Sequence, residues 1–132
     1  MTHDEFAKKH NLTITADRLH ERTDGTDWDK HARHWRCTIA TPDGRSHALE
    51  FTQGSAYTAP PTIADVLECV ALDAAGVENA KGFEDWAAEY GFDTDGRKAE
   101  RTYKACLAQT AAFELLLGLD AMHELMFETE EA

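Results

Sequence analysis

Trp35-Arg36-Cys37-Thr38-Ile39-Ala40-Thr41-Pro42-Asp43-Gly44-Arg45-Ser46-His47-Ala48-Leu49-Glu50-Phe51 is two strands and the turn that joins them. Pro42 presets the backbone for a type I turn, and Gly44 can take the left-handed position that closes it. Closure pairs Thr41 with Arg45. Counting outward, Ile39 faces His47, Cys37 faces Leu49 and Trp35 faces Phe51, while Arg36 meets Glu50 on the other face. A two-residue loop on Asp43-Gly44 would instead set Cys37 against Glu50. The register with apolar partners is expected, because a slip of one residue carries every side chain to the opposite face.

Upstream, residues 11–20 alternate as a strand, with Leu12, Ile14 and Ala16 on one side. This predicts three antiparallel strands over about 11–20, 33–41 and 45–52. Residues 3–10 suit a short leading helix, and the polar, Asp- and Gly-rich residues 21–31 suit a loop.

Downstream the period changes from two to about 3.6. After a linker at 53–61, Thr62 is an N-cap with Asp65 three residues on. Ile63, Val66, Leu67, Val70 and Ala74 then form a helix stripe, opposite Asp65, Glu68 and Leu72, and Gly76 is expected to end the helix. A second helix over about 83–90 carries Phe83, Trp86 and Tyr90. Asp95 is expected to cap a third, over about 96–117, with Ala99, Tyr103, Cys106, Thr110, Phe113 and Leu117 inward. Its end, Phe113 to Leu117, is apolar nearly all round and should be covered on more than one side. Gly118 stops it. A last helix over about 120–127 carries Met122, Leu125 and Met126, and the acidic tail from Glu128 should fray. Strands followed by helices (about 62–75, 83–90, 96–117, 120–127) predict one α+β domain over 1–132. Its sheet is covered on one face, with a β-rich part at 1–60 and an acidic helical part at 61–132.

Charge is unevenly spread. Residues 1–60 hold nine acids against eight bases, and residues 61–132 hold sixteen acids against five bases. Such a surface disfavours direct binding to a nucleic-acid backbone, which takes clustered Lys and Arg. Solubility, a saline host or a surface built for a basic partner would each produce it. No apolar run approaches the roughly 20 residues of a membrane span. The start, Met1-Thr2-His3-Asp4-Glu5, has no basic region leading into an apolar stretch, so no secretory signal is expected. Three cysteines set in helix and strand interiors are expected to be reduced thiols in a cytoplasmic protein.

His31-x-x-His34-x-x-Cys37, with His47, invites a zinc reading and hence a zinc-dependent enzyme. The odd separation of His34 and Cys37 points them to opposite faces of a strand. The expected arrangement is a buried Cys37, an exposed His34 and a half-buried His47, with no metal ligands and no cofactor. Asp93-Thr94-Asp95-Gly96 resembles part of a calcium loop but lacks its first acid and its closing Glu. Neither Cys69 nor Cys106 belongs to a nucleophile motif, and no spacing marks a general acid and base, so no catalytic residue is assigned. Arg97, Lys98, Arg101 and Lys104 crowd one helix N-terminus against its dipole, and an ion-pair network with Glu84, Asp85, Glu89, Asp93 and Asp95 is expected to compensate. Acids without an evident local partner are then Asp65, Glu68, Asp73 and Glu78, followed by Asp120, Glu124, Glu128, Glu130 and Glu131. With Leu72 as an apolar anchor, these are the candidate partner-binding residues.

Residues 61–118 resemble a group of small uncharacterised proteins carried by bacteriophages and prophages. The resemblance rests on Ala64-Asp65-Val66-Leu67-Glu68-Cys69, on Asp73-Ala74-Ala75-Gly76-Val77-Glu78-Asn79-Ala80, and most specifically on the run from Phe83 to Tyr103. His34-Trp35-Arg36-Cys37 also fits. After Gln109 this chain departs, having Thr110-Ala111-Ala112-Phe113-Glu114 where more bases are expected. The resemblance implies a viral protein acting in the cytoplasm of a bacterial host, and no site residue comes with it. The group brings no activity with it, but small, acidic, motif-free phage proteins look like inhibitors of host defence. By that likeness of class the expected function is a non-enzymatic inhibitor of a nucleic-acid-targeting defence system of the CRISPR type, one that presents an acidic surface to the basic cleft of an effector or restriction enzyme. The alternative is a phage accessory module that acts through protein contacts unrelated to defence. The apolar end of the third helix and the Met122/Leu125/Met126 stripe leave a homodimer open.

Overall fold

The computed structural model describes residues 1–91 and 97–130. Among them run α1 (His3–Lys9), β1 (Thr13–Arg18), α2 (Asp27–His31), β2 (Arg33–Ala40), β3 (Ser46–Gln53), α3 (Ile63–Asn79), α4 (Phe83–Glu89), α5 (Arg97–Leu117) and α6 (Leu119–Phe127). The three strands form one antiparallel sheet in the order β1-β2-β3. This is the α+β arrangement expected, a sheet followed by a helical half.

The hairpin takes the expected register: Trp35 opposes Phe51, Arg36 opposes Glu50, Cys37 opposes Leu49 and Ile39 opposes His47. The Thr41 amide donates to the Arg45 carbonyl at 2.9 Å, and Gly44 sits at φ 89°. On β1, Ile14 and Ala16 pair with Ile39 and Cys37. One face of the sheet is therefore continuous apolar surface, and Trp35, Cys37, Ile39 and Leu49 join a core with Phe6, Val66, Leu67, Val70, Phe113, Met122 and Leu125. Each large aliphatic or aromatic side chain buried there contributes roughly 1.5–3 kcal/mol relative to exposure.

Three helices start on the same device. Thr2, Thr26 and Thr62 each cap a helix in a reciprocal box with an acid three residues on, Glu5, Asp29 and Asp65. Each box satisfies two backbone donors that the first turn leaves free.

The structure corrects several expectations. Residues 27–31 are a helix and not part of a loop. His34 is 2% exposed and not solvent-facing, and its ring meets a backbone carbonyl of α2. Its Nε2 lies 2.7 Å from the Asp29 carbonyl and its Nδ1 lies 3.1 Å from the Thr52 hydroxyl. A carbonyl can only accept, so Nε2 carries a proton and donates it to Asp29.

Gly76 does not end α3, which continues to Asn79. The apolar end of α5 is not covered all round, since Leu115 is 81% exposed while Phe113 and Leu116 are buried. The tail is held as far as Glu130, whose amide donates to the Met1 carbonyl at 2.8 Å, and the Met1 ammonium donates to the Glu128 carbonyl at 3.0 Å. The expected Asp95 cap and the Asp93–Asp95 turn fall outside the described residues.

Candidate acidic docking face

α3 splits its residues between two environments. Val66, Leu67, Val70, Ala71 and Ala74 face the core. Asp65, Glu68, Leu72, Gly76 and Asn79 follow at i, i+3, i+7, i+11 and i+14, which is one outward line along the helix. Leu72 is the apolar member of that line and is 63% exposed.

Two adjoining hollows share Leu72 as their common wall. The first, about 440 Å³, lies between α3 and the end of β3. Asp65, Glu68, Cys69 and Asp73 line it from the helix, Phe51 to Gly54 from the strand, and Tyr57 from the linker. The second, about 360 Å³, lies between α3 and α4 and is lined by Gly76, Asn79, Asp85, Glu89 and Tyr90. Among the described residues, five carboxylates line the two hollows together, and no Lys, Arg or His lines either. Tyr57 and Tyr90 are more than half exposed, so the face carries aromatic and aliphatic contact area beside its charge.

The acids differ in how far each is committed. Asp65 accepts the Thr62 amide at 3.0 Å and is otherwise exposed. Asp85 accepts the Lys81 amide at 3.0 Å. Asp73 is half-buried, 3.2 Å from the Gln109 amide nitrogen and 3.8 Å from the Cys69 sulfur. Burial pushes its carboxyl above the ordinary value, and the two hydrogen bonds oppose that shift. The Gln53 amide oxygen, on the wall of the first hollow, is buried without a donor.

The structure gathers Asp65, Glu68, Leu72 and Asp73 as expected from α3, but it disperses the other candidates. Glu78 is exposed in the last turn of α3 and lines neither hollow. Glu124 has a partner after all: Lys9 Nζ lies 2.7 Å away and His10 Nε2 3.2 Å away. The Lys9 hydrogen bond and the adjacent His10 hold its carboxyl below the usual range. Glu128 is exposed at the end of α6, where its carbonyl takes the chain's ammonium. Asp85, Glu89, Tyr57 and Tyr90 join the face unforeseen. Among the described residues, no ion pair links the bases of α5 to Glu84, Asp85 or Glu89, and Lys104 pairs with Glu100 on its own helix at 2.8 Å. The Asp93 and Asp95 part of the expected network lies outside the described residues, and so does the candidate Glu131.

The sulfur chemistry here is that of closed thiols. Burial, reinforced by Asp73, pushes Cys69 up to about 12 and Cys106 up to about 11. Those shifts oppose thiolate formation and hence nucleophilic attack. All three cysteines are free. Among the described residues, no three His, Cys, Asp or Glu side chains come close enough to hold a metal ion, and no helix is long and apolar enough to cross a membrane. No family model, curated protein or solved structure matches the chain.

Proposed function

We propose that this chain is a non-enzymatic binding protein that docks the α3–α4 face onto a basic surface of a protein partner. The observation that carries this reading is the pair of base-free hollows on either side of Leu72. Five carboxylates gathered along one face raise the local negative potential, steer a basic partner toward it and release counterions from both surfaces on contact. Leu72, Tyr57 and Tyr90 supply the apolar area that turns encounter into residence.

The resemblance of residues 61–118 to phage and prophage proteins supports a bacterial host as the setting. The partner of matching chemistry there is a nucleic-acid-targeting defence complex, a CRISPR effector or restriction enzyme, whose basic cleft the carboxylates would occupy in place of phosphates.

Capture from host lysate, followed by binding measurements on the purified partner, tests the reading. The expected result is a nuclease complex whose affinity falls steeply between low and physiological salt. It should fall at least tenfold further in the Glu68→Lys/Glu89→Lys double variant, whose fold circular dichroism should show intact. Capture of a partner without a nucleic-acid-binding surface would move the protein to the accessory-module reading. Binding that ignores salt and both substitutions would remove the α3–α4 face from consideration.

A further inference from the structure

The outermost line of α5 consists of Arg97, Arg101, Lys104, Ala108, Ala111 and Leu115, all exposed and spaced by 4, 3, 4, 3 and 4 residues. That is the spacing of a helix–helix seam, in which one straight stripe meets a partner helix along its length. Its composition is polar at one end and apolar at the other. Three bases occupy the N-terminal half, where they oppose the helix dipole, and two alanines and a leucine occupy the C-terminal half. Leu115, at 81% exposure, is the most exposed of the large apolar side chains. None of the six lines either hollow of the acidic face.

The pattern complements itself when reversed. A twofold axis between residues 104 and 108 sets Lys104 against the other copy's Ala108, Arg101 against its Ala111 and Arg97 against its Leu115. The bases of one helix then reach the C-terminal end of the other. There the dipole is negative, and Glu114 and the exposed Asp120 add charge of the same sign. The Arg and Lys stems lie over alanine and leucine, and the alanines let the helix axes approach to about 8 Å. A parallel pairing would stack Arg97, Arg101 and Lys104 on their own copies, so the charge pattern selects the antiparallel one.

We propose that the exposed α5 stripe is a self-association surface on which two copies of this chain pair antiparallel about that axis. The site differs from the Met122/Leu125/Met126 stripe, because Met122 and Leu125 are buried in the core of their own chain. A contact made by one helix pair lies at the small end of stable interfaces, so the dimer forms with concentration and is not obligate.

Sedimentation equilibrium from micromolar to millimolar protein tests this, with Ala111→Glu and Ala111→Arg as the variants. Position 111 is exposed, so both should keep the helical circular dichroism of the parent. The expected result is a mass that rises from 14.7 kDa toward twice that value. Ala111→Glu, placed against the other copy's Arg101, tightens the dimer roughly two- to tenfold, since the symmetry makes the pair twice. Ala111→Arg weakens it by a similar factor, and both effects shrink in concentrated salt. A parent protein that stays at monomer mass throughout overturns the proposal. So does a dimer that responds to neither substitution, or to both in the same direction.

Discussion

Gly76 runs directly beneath Tyr90: a Cβ at Gly76 would stand 2.2 Å from the Tyr90 hydroxyl oxygen and 2.9 Å from the carbon that bears it. Glycine inside a helix ordinarily costs about 1 kcal/mol relative to alanine. Here the missing side chain lets Tyr90, the residue after α4, lie against α3 and form a wall of the second hollow. Tyr90 is half exposed and can swing away, so Gly76→Ala should move the ring rather than break the helix. The expected outcome is a near-neutral Gly76→Ala in the parent and a gain of about 1 kcal/mol for the same change in a Tyr90→Ala background. Urea denaturation of the four proteins of that cycle measures it, and equal effects in the two backgrounds would deny the contact.

His34 fastens α2 to the sheet through two hydrogen bonds made in a buried setting. Replacing it with Phe keeps the bulk and deletes both, leaving the Asp29 carbonyl and Thr52 hydroxyl without their partner. The expected loss is about 1–3 kcal/mol. Thr26→Ala, which removes the α2 cap, should cost about 1 kcal/mol. The two changes act on one short helix, so their costs should sum to less than additivity. Hydrogen exchange at residues 27–31 would show whether α2 is what comes loose.

The same capping signal was legible at one site and hidden at another, for a physical reason. Thr62-x-x-Asp65 precedes a long apolar stripe, and the helix could be read directly. Thr26-x-x-Asp29 precedes a single turn with no apolar period, so composition alone argued for a loop. Missing α2 then exposed His34 on paper, because alternation on a strand says which face a residue takes and not what covers that face. The hairpin was fully readable, since its turn chemistry and its apolar pairs agree on one register. The docking face was half readable. Asp65, Glu68, Leu72 and Asp73 share a helix, and spacing alone brings them together. Asp85, Glu89 and Tyr90 come to the face where Tyr90 lies against Gly76, a residue that in a linear reading looks like a helix stop. Glu124 misled for the converse reason, because its partners Lys9 and His10 lie more than a hundred residues away in the chain.

Cys69 and Cys106 should be slow to alkylate while the fold is intact. A thiol near 12 is ionised at mildly alkaline pH far less than a free cysteine near 8.5, by a factor on the order of 10³. Iodoacetamide labelling followed by mass spectrometry should show both sites nearly silent in native protein and fully labelled in denaturant. The native rate should climb as the pH is raised through the range of about 11 to about 12. Fast native labelling at either site would mean that α3 and α5 do not close over the pair.

Asp73 and Glu124 should respond to acid in opposite directions. Burial raises the Asp73 carboxyl, so the folded protein binds that proton more tightly than the unfolded chain does. Ionised Asp73 therefore subtracts stability above its folded value, and the penalty disappears as the pH falls below the unfolded value near 4. Lys9 and His10 lower Glu124, so its ionised form adds stability above the unfolded value, and this is lost as the pH falls through the lower folded one. Asp73→Asn keeps an oxygen for the Gln109 amide and removes the buried charge. It should raise the urea midpoint at neutral pH and give no gain once the pH is below both values. Glu124→Gln should lower the midpoint at neutral pH and matter little in acid. Neither residue can then be a free carboxylate awaiting a partner, and the docking face leans on the other acids that line its hollows. Parallel pH profiles for the two variants would refute that division, because one environment would then have to hold both acids.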